Sequence, residues 1–277
     1  MMNTGKQLRL RRIWRHKRAV IIPFDHGQYG GVPEGLEDPG KLTTAIAAAG
    51  ADAVLVTPGV LERVKGDLGD LAVFLRLDGA FTKYTPVAGD YESVCTVEHA
   101  VRLGVDAGIV FTFVGTEFDA ASLKRLGQTA EQAAIWGLPL TSEILPPGLL
   151  NNHFEREIFK ISGLTGSIED QTTTVARIGA EHGADIIKTR YPGSVEAFKK
   201  TVRTCGARVI VAGGPPSSDK SDEALLKFAH DCVQADAAGI VFGRSVWQRP
   251  NLKPVIHALC AIVHEDATVA SALKLLR

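Results

Sequence analysis

"GADIIKTRYPG" (residues 183–193) compresses one structural joint into eleven residues. Gly183 closes a helical stretch, and Ala184 and Asp185 lead into the apolar pair Ile186-Ile187. Lys188 and Thr189 follow, and Pro192-Gly193 make a turn. A left-handed glycine cap followed by a short Val/Ile-rich run is how a helix hands over to a buried strand. The joint recurs: "GAD" stands at 50–52 and "GVDAG" at 104–108.

Working outward gives eight strand candidates: "AVIIPF" (19–24), "DAVLVT" (52–57), "AVFLRL" (72–77), "GIVFTFV" (108–114), "LPLTSEI" (138–144), "ADIIKT" (184–189), "ARVIVAG" (207–213) and "AGIVFG" (238–243). Near-continuous apolar runs of this kind suit a parallel sheet covered on both faces. Helical stretches at 38–50, 96–104, 122–137, 169–183, 194–206 and 222–236 lie between most of them. Several open on Asp-Pro or a Thr cap and close on Gly. Eight β–α units in about 250 residues is the size of a (β/α)8 TIM barrel of the α/β class, in a single domain. The doubly wound alternative requires a G-x-G-x-x-G turn after the first strand. The first strand instead runs into "FDHGQYGG", which lacks that spacing. The expected organisation is a basic N-terminal helix or arm at 1–18, the barrel at 19–265 and a tail at 266–277.

Lys plus Arg equals Asp plus Glu at 31 each, so the formal net charge is zero. That disfavours a dedicated nucleic-acid binder and is compatible with self-association. The apolar run after "RLRRIWRHKR" spans only 19–24 and is too short for a signal or a membrane span. Arg9 to Arg18 therefore read as a solvated amphipathic helix or arm, with an RNA or acidic-partner contact as the sharper alternative. Cys95, Cys205, Cys232 and Cys260 form no CxxC pair and read as buried or half-buried thiols of a reducing, cytoplasmic compartment. His26, His99, His153 and His182 show no metal-ligand spacing, so neither a metal nor a cofactor is expected.

In a barrel the strand C-termini open onto one mouth, and chemistry belongs there. Asp25 and His26 end the first strand, Arg76 and Asp78 the third, Glu143 lies in the fifth and Lys188 ends the sixth. Alternation puts Ile186 and Lys188 on one face. If that face is the interior, desolvation disfavours the ammonium. A neutral amine attacks a ketone or aldehyde to form a Schiff base, whose iminium is an electron sink. The bland reading is a strand-end lysine in solvent or paired with a nearby Asp. Asp25 either shuttles a proton at a substrate hydroxyl, pairs with Lys188, or serves as a cap or structural ion pair. His26 contacts substrate or a loop carbonyl. Gly213-Gly214 and Gly243-Arg244, at consecutive strand ends, suit a phosphate site, with Ser217 and Ser218 as added hydroxyls.

These motifs ("IIPFDHG", "LGQTAEQAAIWGLPL", "GADIIKTRYPG", "VIVAGGP" and "GIVFGRSVWQR") resemble the archaeal-type class I fructose-bisphosphate aldolase family. Its relatives include aminodideoxyheptulosonate synthase and the autoinducer-2 thiolase. The resemblance runs from about residue 6 to about 265. It implies a TIM barrel with Lys188 as the Schiff-base lysine and Asp25 as the aspartate of the DHG motif. It also implies phosphate held by Gly213, Gly214, Gly243 and Arg244, a phosphorylated ketose or dihydroxyacetone-phosphate-type substrate, no cofactor, and a large homo-oligomer, often a decamer. The chain departs from the family pattern in "SEILPPG", where Leu145 stands in place of the acid/base tyrosine of strand five. Glu143, on the same strand face, is the candidate to take over proton transfer; otherwise it is a structural partner for Lys188 or Arg76. "GGPP" replaces "GGPK", so Pro216 removes a phosphate-side lysine. The stretch 149–170 is long enough to form a lid, although His153, Glu155 and Arg156 in it read more simply as surface loop. The leading expectation is an aldehyde-lyase or transaldolase. Acyl transfer to coenzyme A and a catalytically silent sugar-phosphate binder are the alternatives.

Overall fold

The computed structural model describes residues 3–79, 81–89, 91–214, 219 and 221–276. Eight parallel strands close into a barrel: β1 (Ala19–Pro23), β2 (Ala53–Val56), β3 (Ala72–Arg76), β4 (Ala107–Thr112), β5 (Leu140–Ile144), β6 (Ile186–Arg190), β7 (Arg208–Ala212) and β8 (Gly239–Val241). Each pairs with its sequence neighbours, and β8 returns to β1 through Ala19 and Gly239. All eight apolar runs singled out above are these strands.

The runs look continuous because both faces are buried. On one face Ile21, Leu55, Phe74, Ile109, Ile186 and Ile210 fill the barrel interior. On the other Val20, Ile22, Val54, Leu75, Ile144 and Ile187 pack against the surrounding helices. Those helices include α2 (Pro39–Ala48), α3 (Pro58–Val64), α4 (Val97–Arg102), α5 (Asp119–Trp136), α6 (Ile168–Glu181), α7 (Val195–Cys205), α8 (Asp222–Gln234) and α9 (Leu252–Glu265), while a further helix, α1 (Thr4–Ile13), precedes the barrel. Start signals act where expected: Asp38 accepts from the N–H of Lys41, and Ser167 with Asp170 forms a capping box at α6.

The repeated "GAD" motif has a structural role beyond its glycine. Asp52, Asp106 and Asp185 stand just before β2, β4 and β6, and each accepts the N–H of a neighbouring chain segment: Val20 at 2.8 Å, Val73 at 2.9 Å and Leu140 at 2.9 Å. The result is a row of carboxylates around the N-terminal end of the barrel.

The N-terminal arm covers that end with its apolar side, while Arg11, Arg12, Arg15 and Lys17 stay exposed, so its reading as solvated holds for the basic face and not for the apolar one. Leu10 and Ile13 of α1 are buried in the interior cluster, because the open bottom of the barrel needs an apolar plug. The arm's cations meet the carboxylates: Lys6 lies 2.6 Å from Asp185 and Arg12 lies 2.9 Å from Asp106. The basic character of the arm is thus complementary to this molecule's own aspartates. Among the described residues, no helix is long and apolar enough to cross a membrane.

Candidate active site

Alternation carries the interior face of each strand up to the mouth, where its composition changes from aliphatic to ionic. Above Phe74 comes Arg76, and above Ile186 comes Lys188. Glu143 and Lys188 are register partners on β5 and β6, so their side chains emerge at one level. The Lys188 ammonium lies 2.7 Å from Glu143 Oε1, with both side chains less than a tenth exposed. The other oxygen of Glu143 accepts from Arg76. Arg76 Nε donates to Asp25 Oδ2 at 3.0 Å, and its terminal nitrogen lies 2.9 Å from the same oxygen. Among the described residues, the contacts between Asp25 and Lys188 run through Arg76 and Glu143.

Burial and charge act against each other here. Burial alone would push the Glu143 carboxyl up, but Lys188 and Arg76 outweigh it and hold it well below the ordinary range. Glu143 is thus an anion at rest. Arg76 is pulled down by burial and more strongly up by Asp25, Glu143 and Asp78. Asp78 is the reverse case. Burial raises it to about 7 against the pull of Arg76 and Arg125 and a hydrogen bond from the Phe111 N–H.

That shift has a consequence for stability. Between the unfolded carboxyl value near 3.8 and about 7, the folded state holds a proton that the unfolded chain has released. Stability is greatest below the lower value and declines as pH rises through the upper one. Asp78→Asn keeps an acceptor for Phe111 and removes the titration. Relative to the unmodified chain, the variant should gain on the order of 2–4 kcal/mol between pH 5 and pH 8 in urea unfolding. A pH-independent difference would show that Asp78 is ionised throughout.

The pocket beside this cluster is lined by Asp25, Glu143, Arg76, Tyr29 and His153, among others. Tyr29 sits in the short helix Gly27–Gly30 after β1. Burial, then Asp25 and Glu143, raise its phenol well above the ordinary tyrosine value, so it keeps its proton and can serve as a hydrogen-bond donor. His26 is lowered to about 4 by burial, and its ring stacks edge-on against Trp247 with centroids 5.5 Å apart. At neutral pH it is an uncharged imidazole 3.8 Å from Asp25. His153 is likewise lowered by burial and stays neutral.

The segment 149–170 does cover the mouth. Phe154, Ile158 and Phe159 bury against Leu145, Phe81, Phe111 and Phe113. The surface-loop reading holds for the exposed Glu155 and needs correction for His153. His153 lines the pocket, Arg156 donates to the carbonyls of Thr82 and Thr85, and Glu155 pairs with Arg244. Leu145 is fully buried in this apolar cluster, which accounts for a leucine there: it packs the lid down.

On the opposite side of the mouth stand the glycine pairs. Gly213 has φ 114°, a conformation suited to glycine, and a side chain there would collide with the Arg190 guanidinium. A Cβ on Gly243 would stand 3.0 Å from the His26 ring. Arg190 is lowered by burial and next by Arg244, so two guanidinium groups face one region. Such a pair is receptive to an anion. Ser217, with Ser218 and Pro216, lies outside the described residues. Alternation through Ile186, Lys188 and Arg190 carries the signal for Arg190. Tyr29 has no comparable signal, because it lies in an irregular turn.

A closed barrel with a buried lysine–carboxylate pair at its mouth defines the frame of a carbonyl-capturing enzyme. Comparison with known proteins agrees. Residues 19–249 match the DeoC/LacD family aldolase model. The chain is 34% identical, over 99% of its length and 97% of the relative's, to 2-amino-3,7-dideoxy-D-threo-hept-6-ulosonate synthase of Halobacterium salinarum. It is 28% identical, over 99% of its own length and 87% of the relative's, to 3-hydroxy-5-phosphonooxypentane-2,4-dione thiolase of Yersinia pseudotuberculosis. An archaeal fructose-1,6-bisphosphate aldolase, solved with its catalytic lysine covalently bound to the carbinolamine intermediate, superimposes with a TM-score of 0.80. The identity is 26%, over 94% of this chain and all of that one. The chain belongs to the DeoC/LacD aldolase family. It is an enzyme of the class I, Schiff-base aldolase type.

Proposed function

We propose that Lys188 captures the carbonyl of a phosphorylated ketose or a dihydroxyacetone-phosphate-type donor, with Glu143 as its proton partner. The observation that carries this is the 2.7 Å Lys188–Glu143 contact in the floor of the mouth. Glu143 is an anion at rest, and it takes the ammonium proton only as the substrate carbonyl arrives, when loss of the lysine charge also removes the pull that kept the carboxyl ionised. The amine adds to the carbonyl carbon and Glu143 returns its proton to the resulting alkoxide; Glu143 then takes a second proton from the carbinolamine nitrogen and delivers it to the hydroxyl, which leaves as water and leaves the iminium. The iminium then accepts the electron pair of the breaking C–C bond. Arg76 holds Glu143 and Asp25 in register throughout. Leu145 has no proton to move, so Tyr29 and Asp25, lining the same pocket, handle the substrate hydroxyl. Arg190 and Arg244, with the open backbone at Gly213, Gly214 and Gly243, hold the phosphate. His26 completes the substrate side. The near-neutral charge supports a homo-oligomer.

Glu143→Gln retains the size and one hydrogen bond but cannot take a proton. It should lower kcat by about 10²–10⁴-fold. Tyr29→Phe should fall less, and most at the C–C cleavage step in single turnover. A Glu143→Gln enzyme within threefold of the original would leave Glu143 a structural partner only. Cleavage assays on ketose phosphates, run with and without coenzyme A, test the substrate class. The second reading, acyl transfer to coenzyme A, is favoured by Leu145 in place of a proton donor and by the thiolase relative. Product formation that depends on coenzyme A would select it.

A further inference from the structure

The carboxylates at the closed end of the barrel are not equally served. Asp106 and Asp185 each receive a cation from α1, Arg12 and Lys6. Asp52 instead receives two imidazoles. His264, in the last turn of α9, places Nε2 2.7 Å from Asp52 Oδ2. His16, between α1 and β1, places Nε2 4.0 Å from Asp52 Oδ1. The two rings stack with centroids 4.0 Å apart and 13° between planes. One donor atom from each of the three residues falls within 4.8 Å of the others.

Asp52 is 1% exposed, and its Oδ1 has no hydrogen-bond partner among the described residues. Its Oδ2 already accepts from the Val20 N–H and meets His264, so Oδ1 is the oxygen left over. The neighbouring cation Arg18 is engaged elsewhere, 2.7 Å from Asp266. A buried carboxylate with one oxygen unsatisfied 4.0 Å from His16 Nε2 and the other against His264 Nε2 calls for a positive charge between the three side chains. The His16 side chain is half exposed, which leaves an entry path and room for water ligands.

We propose that His16, Asp52 and His264 form a binding site for a divalent transition-metal ion of the Zn²⁺ class at the closed end of the barrel. Two nitrogens and one carboxylate oxygen suit Zn²⁺, Co²⁺ or Ni²⁺ and do not suit Mg²⁺, which demands oxygen ligands. One imidazole would tilt out of the stack so that both lone pairs converge on the ion. The site is remote from Lys188, which lies at the opposite end of the strands, so its role is structural. It ties the N-terminal arm and the last barrel helix to the start of β2. A link between distant chain segments stabilises chiefly by restricting the unfolded chain.

The test uses full-length, tag-free protein stripped with a chelator. Titration with Co²⁺ should develop visible d–d absorption that saturates at one equivalent, and Zn²⁺ should displace it. At 100 Kd, Zn²⁺ should raise Tm by about 5 °C, and Mg²⁺ should not. His16→Ala, at a half-exposed position, should fold, keep full aldolase activity, and lose at least about tenfold in Co²⁺ affinity. His264→Gln should lose the site as well. No Co²⁺ absorption, or equal affinity in the original chain and His16→Ala, would overturn the proposal and leave the trio a hydrogen-bonded cap on β2.

Discussion

Replacing Lys188 by methionine should lower kcat/KM for the carbon–carbon step by at least about 10⁴-fold, with the fold intact. Methionine fills nearly the same volume and cannot form an imine. Arg76 still holds Glu143 after the change, so no carboxylate is stranded in the interior. Removing a buried charge whose partner keeps a second cation is far milder than breaking an isolated buried pair. Circular dichroism and urea unfolding should therefore stay close to those of the original chain, while turnover disappears. Residual activity within tenfold would place the imine on another amine.

The second large effect concerns Arg76, and its outcome is the opposite: stability lost before chemistry. Its guanidinium contacts Asp25, Glu143 and Asp78, all of which are buried. Arg76→Met would strand Asp25 and leave Glu143 with Lys188 alone. The expected loss is about 3–5 kcal/mol at pH 8 in urea unfolding. It should be smaller at pH 5, where Asp78, raised to about 7, already carries its proton. Arg76→Lys should recover only part, since an ammonium cannot span two carboxylates in the fork geometry of arginine. A loss under about 1 kcal/mol would mean that the carboxylates protonate or hydrate at little cost.

The barrel was legible because its strands are buried on both faces and so read as apolar runs. Lys188 stood out because it interrupts one of them. The Glu143–Lys188 contact was within reach too, since both lie at the ends of neighbouring strands, but which partner each takes depends on register. Arg76 was legible as a strand-end residue and not as the hub, because its three carboxylates come from three strands. Burial of Lys188 brings a carboxylate within 2.7 Å of it, so desolvation does not act alone there. Tyr29 escaped notice, and His153 read as surface loop, for a different reason. They sit on a turn and a lid, where no periodicity says which way a side chain points. The aspartate of "GAD" was visible as a repeat, yet its task, accepting an N–H from the adjacent strand, exists only once the barrel has closed.

Covalent trapping decides whether Lys188 forms the imine. The enzyme is incubated with dihydroxyacetone phosphate, reduced with borohydride, and analysed by intact mass and peptide mapping. The account predicts one donor fragment per chain, located on Lys188, and none on Lys188→Met. An unchanged intact mass, a fragment mapped to another lysine, or trapping that persists in Lys188→Met would contradict it.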